Sequence, residues 1–150
     1  MTKIVAMIPA RMGSKRIPKK NIRLLNGIPL ISYIIRAVKE AGCFDEIYVN
    51  SESDLIGKIA KDEGVNFYKR SEDLTKDTST NDEFTFDFMN KINCDVLIQV
   101  LATSPFTKPE EIKDFTKTMI KKNLDTLISV NNQQIECVYE NSPINFNKRK

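Results

Sequence analysis

Short apolar runs alternating with longer amphipathic stretches constrain this 150-residue chain more than any other feature. Residues 3–9 read as a buried strand, apolar almost throughout and closed by Pro9. Gly27-Ile28-Pro29 then opens a helix with proline in its first turn. Along it Leu30, Ile31, Ile34, Ile35, Val38 and Ala41 form one apolar stripe, which stops at Gly42. The alternation continues with strands at 46–49, 65–68 and 96–101 and a fifth at 127–130, a further strand being read at 135–139. Helices fall between them at 53–63, around Phe84, Phe88, Met89 and Ile92, and after Pro109 with Ile112, Phe115 and Met119 inward. Such a pattern predicts an α/β fold, a mostly parallel sheet with right-handed connections and helices on both faces. No linker or internal repeat interrupts it, so residues 1–150 are read as one domain.

In an open parallel sheet, ligands bind beyond the carboxyl ends of the strands. The loops that matter are therefore 10–26, 50–53, 69–81 and 102–108. The charge distribution singles out the first. Residues 1–40 hold nine Lys or Arg against Glu40 alone, so this part carries +8 within a chain of net charge +3 and the rest is mildly acidic. An anionic ligand near the N-terminus is implied. A nucleic acid is disfavoured, because the basic residues lack interleaved aromatics and do not recur along the chain. A compact phosphate ligand fits better.

Composition removes several chemistries. The chain has no histidine, which excludes Ser-His-Asp and Cys-His catalysis and leaves carboxylates, lysines, bound metal or the substrate's own groups. Cys43, Cys94 and Cys137 are scattered and contain no CxxC pair, so structural zinc is not expected. With no apolar run of membrane-spanning length and no secretory leader pattern, the expected setting is reducing and cytoplasmic, without a membrane partner.

The first loop runs Ala10-Arg11-Met12-Gly13-Ser14-Lys15-Arg16-Ile17-Pro18-Lys19-Lys20-Asn21. Gly13 lets backbone N–H groups approach a ligand, Ser14 offers a hydroxyl, and Arg11, Lys15 and Lys20 place cations around a polyphosphate. At an effective dielectric near 20, one such contact at about 4 Å is worth on the order of 4 kcal/mol before desolvation. The segment is neither a Walker A loop nor a GxGxxG dinucleotide loop, and five glycines in all leave no other place for one. On residue types alone, a solvated basic loop stands beside the phosphate site as an equal alternative.

This segment closely resembles the opening motif of the acylneuraminate cytidylyltransferase family, approximately A-R-x-G-S-K-x-[IVL]-P-x-K-N, and Asn26-Gly27-Ile28-Pro29-Leu30 resembles the N-G-x-P-L that follows it. Further along, 69–74 is similar to the family's R-P-x-E-L stretch with Ser71 in place of proline. Asp77-Thr78-Ser79-Thr80-Asn81 is similar to its D-T-A-S-S, and 102–105 to its sugar-binding Q-P-T-S-P, with Leu101 at the glutamine position. The likeness extends over roughly the first 130 residues.

The resemblance implies a Rossmann-like, three-layer fold of nucleotide-diphospho-sugar transferase type, truncated at its C-terminal end, and a nucleotidyltransferase that joins CTP to a sialic-acid-like, nonulosonic-acid-type 2-keto sugar acid and releases pyrophosphate, with Mg²⁺ as cofactor. It implies Arg11 and Lys20 as the charge-stabilising catalytic pair and Ser14 and Lys15 as further triphosphate ligands. Asn21, Arg70 and Asn81 fall on the nucleotide side, and Thr103, Ser104 and Gln99 on the sugar side. On residue types, Gln99 also reads as a hydrogen-bonded core amide, Thr80 as the cap of a helix, and Glu52 as a charge at a helix N-terminus. Relatives continue past residue 150 through a dimerisation element and an acidic, metal-binding segment, and the full-length family is expected to be homodimeric. An inactive nucleotide-binding remnant and a transferase for another sugar therefore stand beside the first reading.

Overall fold

The computed structural model describes residues 2–14, 16–131, 137–145 and 147. Its centre is a sheet of four parallel strands, β1 (Ile4–Pro9), β4 (Glu46–Ser51), β5 (Asn66–Lys69) and β6 (Val96–Gln99), in the order β5-β4-β1-β6. The helices are α1 (Leu30–Ala41), α2 (Asp54–Asp62), α3 (Asn81–Lys91) and α4 (Pro109–Lys121). This is the α/β architecture that the alternation predicts.

Strand β1 explains the layering. It is paired on both sides, and Val5, Ala6, Met7 and Ile8 are all fully buried. Alternate side chains go to opposite faces. Ala6 and Ile8 join Ile31, Ile34, Ile35, Val38, Ile56 and Ile112 in the larger core under α1, α2 and α4. Val5 and Met7 join Tyr68 and Phe88 under α3. There the ring of Phe88 meets Tyr68 and Tyr48 edge-on, with centroids 5.0 and 5.4 Å away.

The helix ends follow their local chemistry. Gly42 closes α1 in the left-handed conformation at φ 59°. Ser53 caps α2 by accepting the Ile56 N–H. At α3, Thr80 and Glu83 form a reciprocal capping box, as the cap reading at Thr80 anticipates. Pro109 begins α4.

Several local expectations are corrected. Pro29 is not inside the first turn of α1 but precedes it, in a small hairpin of β2 (Leu24–Leu25) and β3 (Ile28–Pro29). Asn26 and Gly27, both at positive φ, make its two-residue turn. Residues 127–130 form no strand. Among the described residues nothing pairs with their backbone, and Ile128, across the cleft from β6, and Val130 stand 74% and 84% exposed. An apolar run becomes a strand only where a neighbour supplies its hydrogen bonds. Of the strand read at 135–139, residues 135 and 136 lie outside the described residues. Val138–Tyr139 is a two-residue strand, β7, paired with β8 (Ser142–Pro143). Among the described residues no helix is long and apolar enough to cross a membrane.

The close approach of α2 to the sheet generates a test. A Cβ on Gly57 would stand 2.6 Å from the nearest ring carbon of Phe67 on β5. Gly57→Ala gains about 1 kcal/mol of helix propensity but drives a methyl into that ring, at about 1–3 kcal/mol for overpacking. Net destabilisation in urea unfolding is expected, and Phe67→Leu in the same chain should recover most of it.

Candidate functional site

The strand order places the loops. From β1 the chain moves outward through β4 to β5, then returns to the other side of β1 as β6, so the topological switch lies between β1 and β6. The loops following β1, β4 and β5 crowd the carboxyl edge on one side of that point. The turn after β6 stands on the other.

Arg11 leaves the end of β1 and places Nη1 3.1 Å from Asp77 Oδ1 and 3.3 Å from the Thr75 carbonyl. Both charged side chains keep access to water, at 41% and 52% exposure. Arg11, Gly13, Ser14, Thr75, Lys76 and Asp77 line a depression of about 350 Å³. A Cβ on Gly13 would meet no atom within 4 Å, so the backbone here is open to an approaching group. Among the described cations of the basic loop, Arg11 lines this concavity, whereas Arg16 and Lys19 are exposed.

The remaining basic-loop positions are divided. Lys15 lies outside the described residues. Lys20 begins a 3-10 turn (Lys20–Ile22), half-buried, and does not line the depression. Asn21 is only 8% exposed and faces inward: its Nδ2 donates to the Arg11 carbonyl at 3.0 Å, and its Oδ1 is buried with no partner among the described residues. The side chain thus braces the loop.

Arg70 follows β5 and is 4% exposed. Its Nε donates to Asn50 Oδ1 at 2.7 Å and its Nη2 to the Asn50 carbonyl at 2.8 Å, while the guanidinium lies 4.1 Å from the centroid of the Phe84 ring. Burial pulls its pKa below the ordinary arginine value, with Glu52 opposing and Arg11 reinforcing that pull. Glu52, directly before the α2 cap, is a charge near that helix N-terminus, as the sequence reading has it, and it also has a specific partner. Ser53 is the cap, and Glu52 Oε1 turns back to accept the Met12 N–H at 2.7 Å.

A second cleft, about 810 Å³, opens along β6 between α3, α4 and residues 125–129. Gln99, Leu101, Asn81 and Ser104 are on its wall. Gln99 Nε2 donates to Asn81 Oδ1 at 2.9 Å and lies 3.4 Å from Thr85 Oγ1. Gln99 is half-buried on a cleft wall, which is not the core amide of the other reading. Thr103 is exposed in the turn after β6 and does not line the cleft. The structure thus gathers Arg11 and Ser14 in one hollow, and Gln99, Asn81 and Ser104 in another.

Three contributors were not assigned from sequence. Asp77 opens the stretch similar to D-T-A-S-S, but the likeness carries no role for it and the stretch has no period. Asn50, fully buried, was a polar residue closing an apolar strand. The bond from Met12 to Glu52 joins positions 40 apart and has no local signature.

Comparison with known proteins follows the same lines. The family model described as cytidylyltransferase matches residues 5–150. The N-acylneuraminate cytidylyltransferase of Oncorhynchus mykiss is 36% identical over 129 residues, which cover 85% of this chain and 30% of that protein. The CMP-N,N'-diacetyllegionaminic acid synthase of Legionella pneumophila is 42% identical over 117 residues, 74% of this chain and 50% of its own length. Among solved structures, the CMP:2-keto-3-deoxy-manno-octonic acid synthetase complexed with CTP superposes with a TM-score of 0.70 at 20% identity, over 81% of this chain and 49% of that one. The chain spans between about a third and a half of these relatives' lengths. With a family match over nearly its whole length, on a parallel α/β sheet with a hollow at its carboxyl edge, this chain belongs to the cytidylyltransferase family.

Proposed function

We propose that this chain carries the nucleotide-binding part of an enzyme that joins CTP to an acidic, nonulosonic-acid-type 2-keto sugar. The observation that carries the reading is the depression where Arg11 and Ser14 converge and a carboxylate, Asp77, already occupies an anion's position on the guanidinium. A triphosphate entering there exchanges with Asp77. Arg11, Ser14 and Lys15 hold its oxygens, and Lys20 adds a cation from the following turn. Arg70 and Asn21 hold the platform beneath the nucleotide. Gln99 and Ser104 present hydrogen-bonding groups to the sugar across the switch point, with Thr103 in the adjoining turn, and Asn81, read from sequence on the nucleotide side, joins this wall through its bond to Gln99.

In the reaction, the sugar's anomeric hydroxyl oxygen forms a bond to the α-phosphorus as the bond from that phosphorus to the bridging oxygen breaks. Pyrophosphate leaves with the electron pair, and the hydroxyl's proton is released. Chemistry of this kind depends on positioning and on neutralising phosphate charge, which a histidine-free site can supply. Mg²⁺ is the expected metal of this reading. The residues present do not fit a resident ion: among the described residues no group of three or more acidic, Cys or His side chains could hold one, and the carboxylate at the depression is on Arg11. No step is routed through it.

Two measurements test the reading. In calorimetric titration with CTP, Arg11→Ala and Lys20→Ala should each weaken binding by about 1–3 kcal/mol, as loss of charge-assisted contacts does. Unchanged affinity in both contradicts the assignment. Asp77→Asn should act oppositely. It removes the competing anion, and since an exposed pair is worth up to about 1 kcal/mol, CTP affinity should rise by up to about fivefold. Pyrophosphate release with N-acetylneuraminate, CTP and Mg²⁺ separates turnover from binding alone, and turnover with a different sugar acid alone redirects the sugar assignment.

A further inference from the structure

The peptide joining Arg11 to Met12 is held at both polar ends. Its carbonyl accepts from Nδ2 of Asn21 at 3.0 Å, and its N–H donates to Oε1 of Glu52 at 2.7 Å. The peptide is trans, so these two groups point in opposite directions, and partners on both fix the rotation of the plane between them. Each partner is itself restrained. Asn21 is packed within its 3-10 turn. Glu52 follows the fully buried Ser51, whose hydroxyl lies 3.3 Å from Oε2 and whose carbonyl accepts the Arg70 N–H at 2.9 Å.

That plane sets where the loop goes. The Arg11 side chain leaves on one side of it, and Gly13 and Ser14 follow two and three residues later, all lining the same depression. Glu52 does not line it. A carboxylate accepting a backbone N–H makes a charge-assisted bond, stronger than a neutral one. A rotated plane would carry the guanidinium and the following amides away from a common anion.

We propose that Glu52 is a positioning residue for the triphosphate loop: with Asn21 it clamps the Arg11–Met12 peptide so that Arg11 and the backbone after it converge on the phosphates, while never touching the nucleotide. The consequence for CTP rests on the function proposed above, whereas the clamp itself does not.

The test pairs amide hydrogen exchange at Met12 with CTP titration, in the wild-type chain, Glu52→Ala and Glu52→Gln. The alanine variant should exchange the Met12 amide at least about tenfold faster and bind CTP about tenfold more weakly, the size of one charge-assisted bond. The glutamine variant keeps an oxygen that accepts the same N–H and should restore both, and the unfolding temperatures of all three should agree within a few degrees. Equal Met12 exchange in wild type and Glu52→Ala overturns the clamp, as does a glutamine variant as impaired as alanine. Lost protection with unchanged CTP affinity overturns the positioning role. A wild-type chain that fails to bind CTP counts against the triphosphate reading, and the exchange comparison still decides the clamp.

Discussion

A buried guanidinium at the carboxyl edge of the sheet is what the surrounding loops depend on. Arg70 donates twice to Asn50, whose carbonyl also accepts the Ala10 N–H at 3.0 Å, so the ends of β1, β4 and β5 meet at one residue. Burying such a charge costs several kcal/mol. Its hydrogen bonds return roughly 1.5–3 kcal/mol each and the Phe84 face about 0.5–2 kcal/mol, which brings the arrangement near balance. Its contribution is therefore geometric. The strand ends are locked in register, and the Arg11, Glu52 and Asp77 loops all depart from a single platform.

From that platform the electrostatics follow. Arg11 is close enough to disfavour the charge on Arg70, Glu52 favours it, and Asp77 pairs with Arg11. The two anions differ in kind. Glu52 is committed to a backbone N–H in a part-buried position, whereas Asp77 meets Arg11 where both remain half in water. An exposed pair of this sort is worth little and weakens with salt. Under the function proposed above, a ligand carrying several negative charges competes with Asp77 and not with Glu52.

The layers and the first loop were legible in the sequence because local pattern decides them. Strand β1 needs apolar residues on both faces and shows them without interruption, and the stripe of α1 ends where Gly42 supplies the left-handed turn. The strand expected at 127–130 failed because its evidence was apolar content, while its existence required a hydrogen-bonding neighbour. The β2–β3 hairpin was available from Asn26-Gly27, a strong two-residue turn signal, but was absorbed into the helix start that Pro29 suggested. In the site, residue types pointed to the cations but not to what holds them. Asn21 facing Arg11 and Glu52 facing Met12 are tertiary bonds between loops that only the sheet brings together.

The two hollows differ in how firmly their walls are fixed. On the phosphate side, Arg11 is set by a peptide held at both ends and by strands tied through Asn50. Across the switch, Gln99 at the end of β6 and Asn81 at the start of α3 form one hydrogen-bonded wall, and among the described residues β6 has a neighbour on one side only. The opposite wall is 125–129, whose backbone makes no ladder with it. In-line transfer loses orders of magnitude in rate from misplacements of about 1 Å, whereas affinity for a polyanion tolerates them. Under the function proposed above, nucleotide affinity and turnover are separable: the first rests on the closed network around β1, β4 and β5, and the second on how the open side of β6 is bounded.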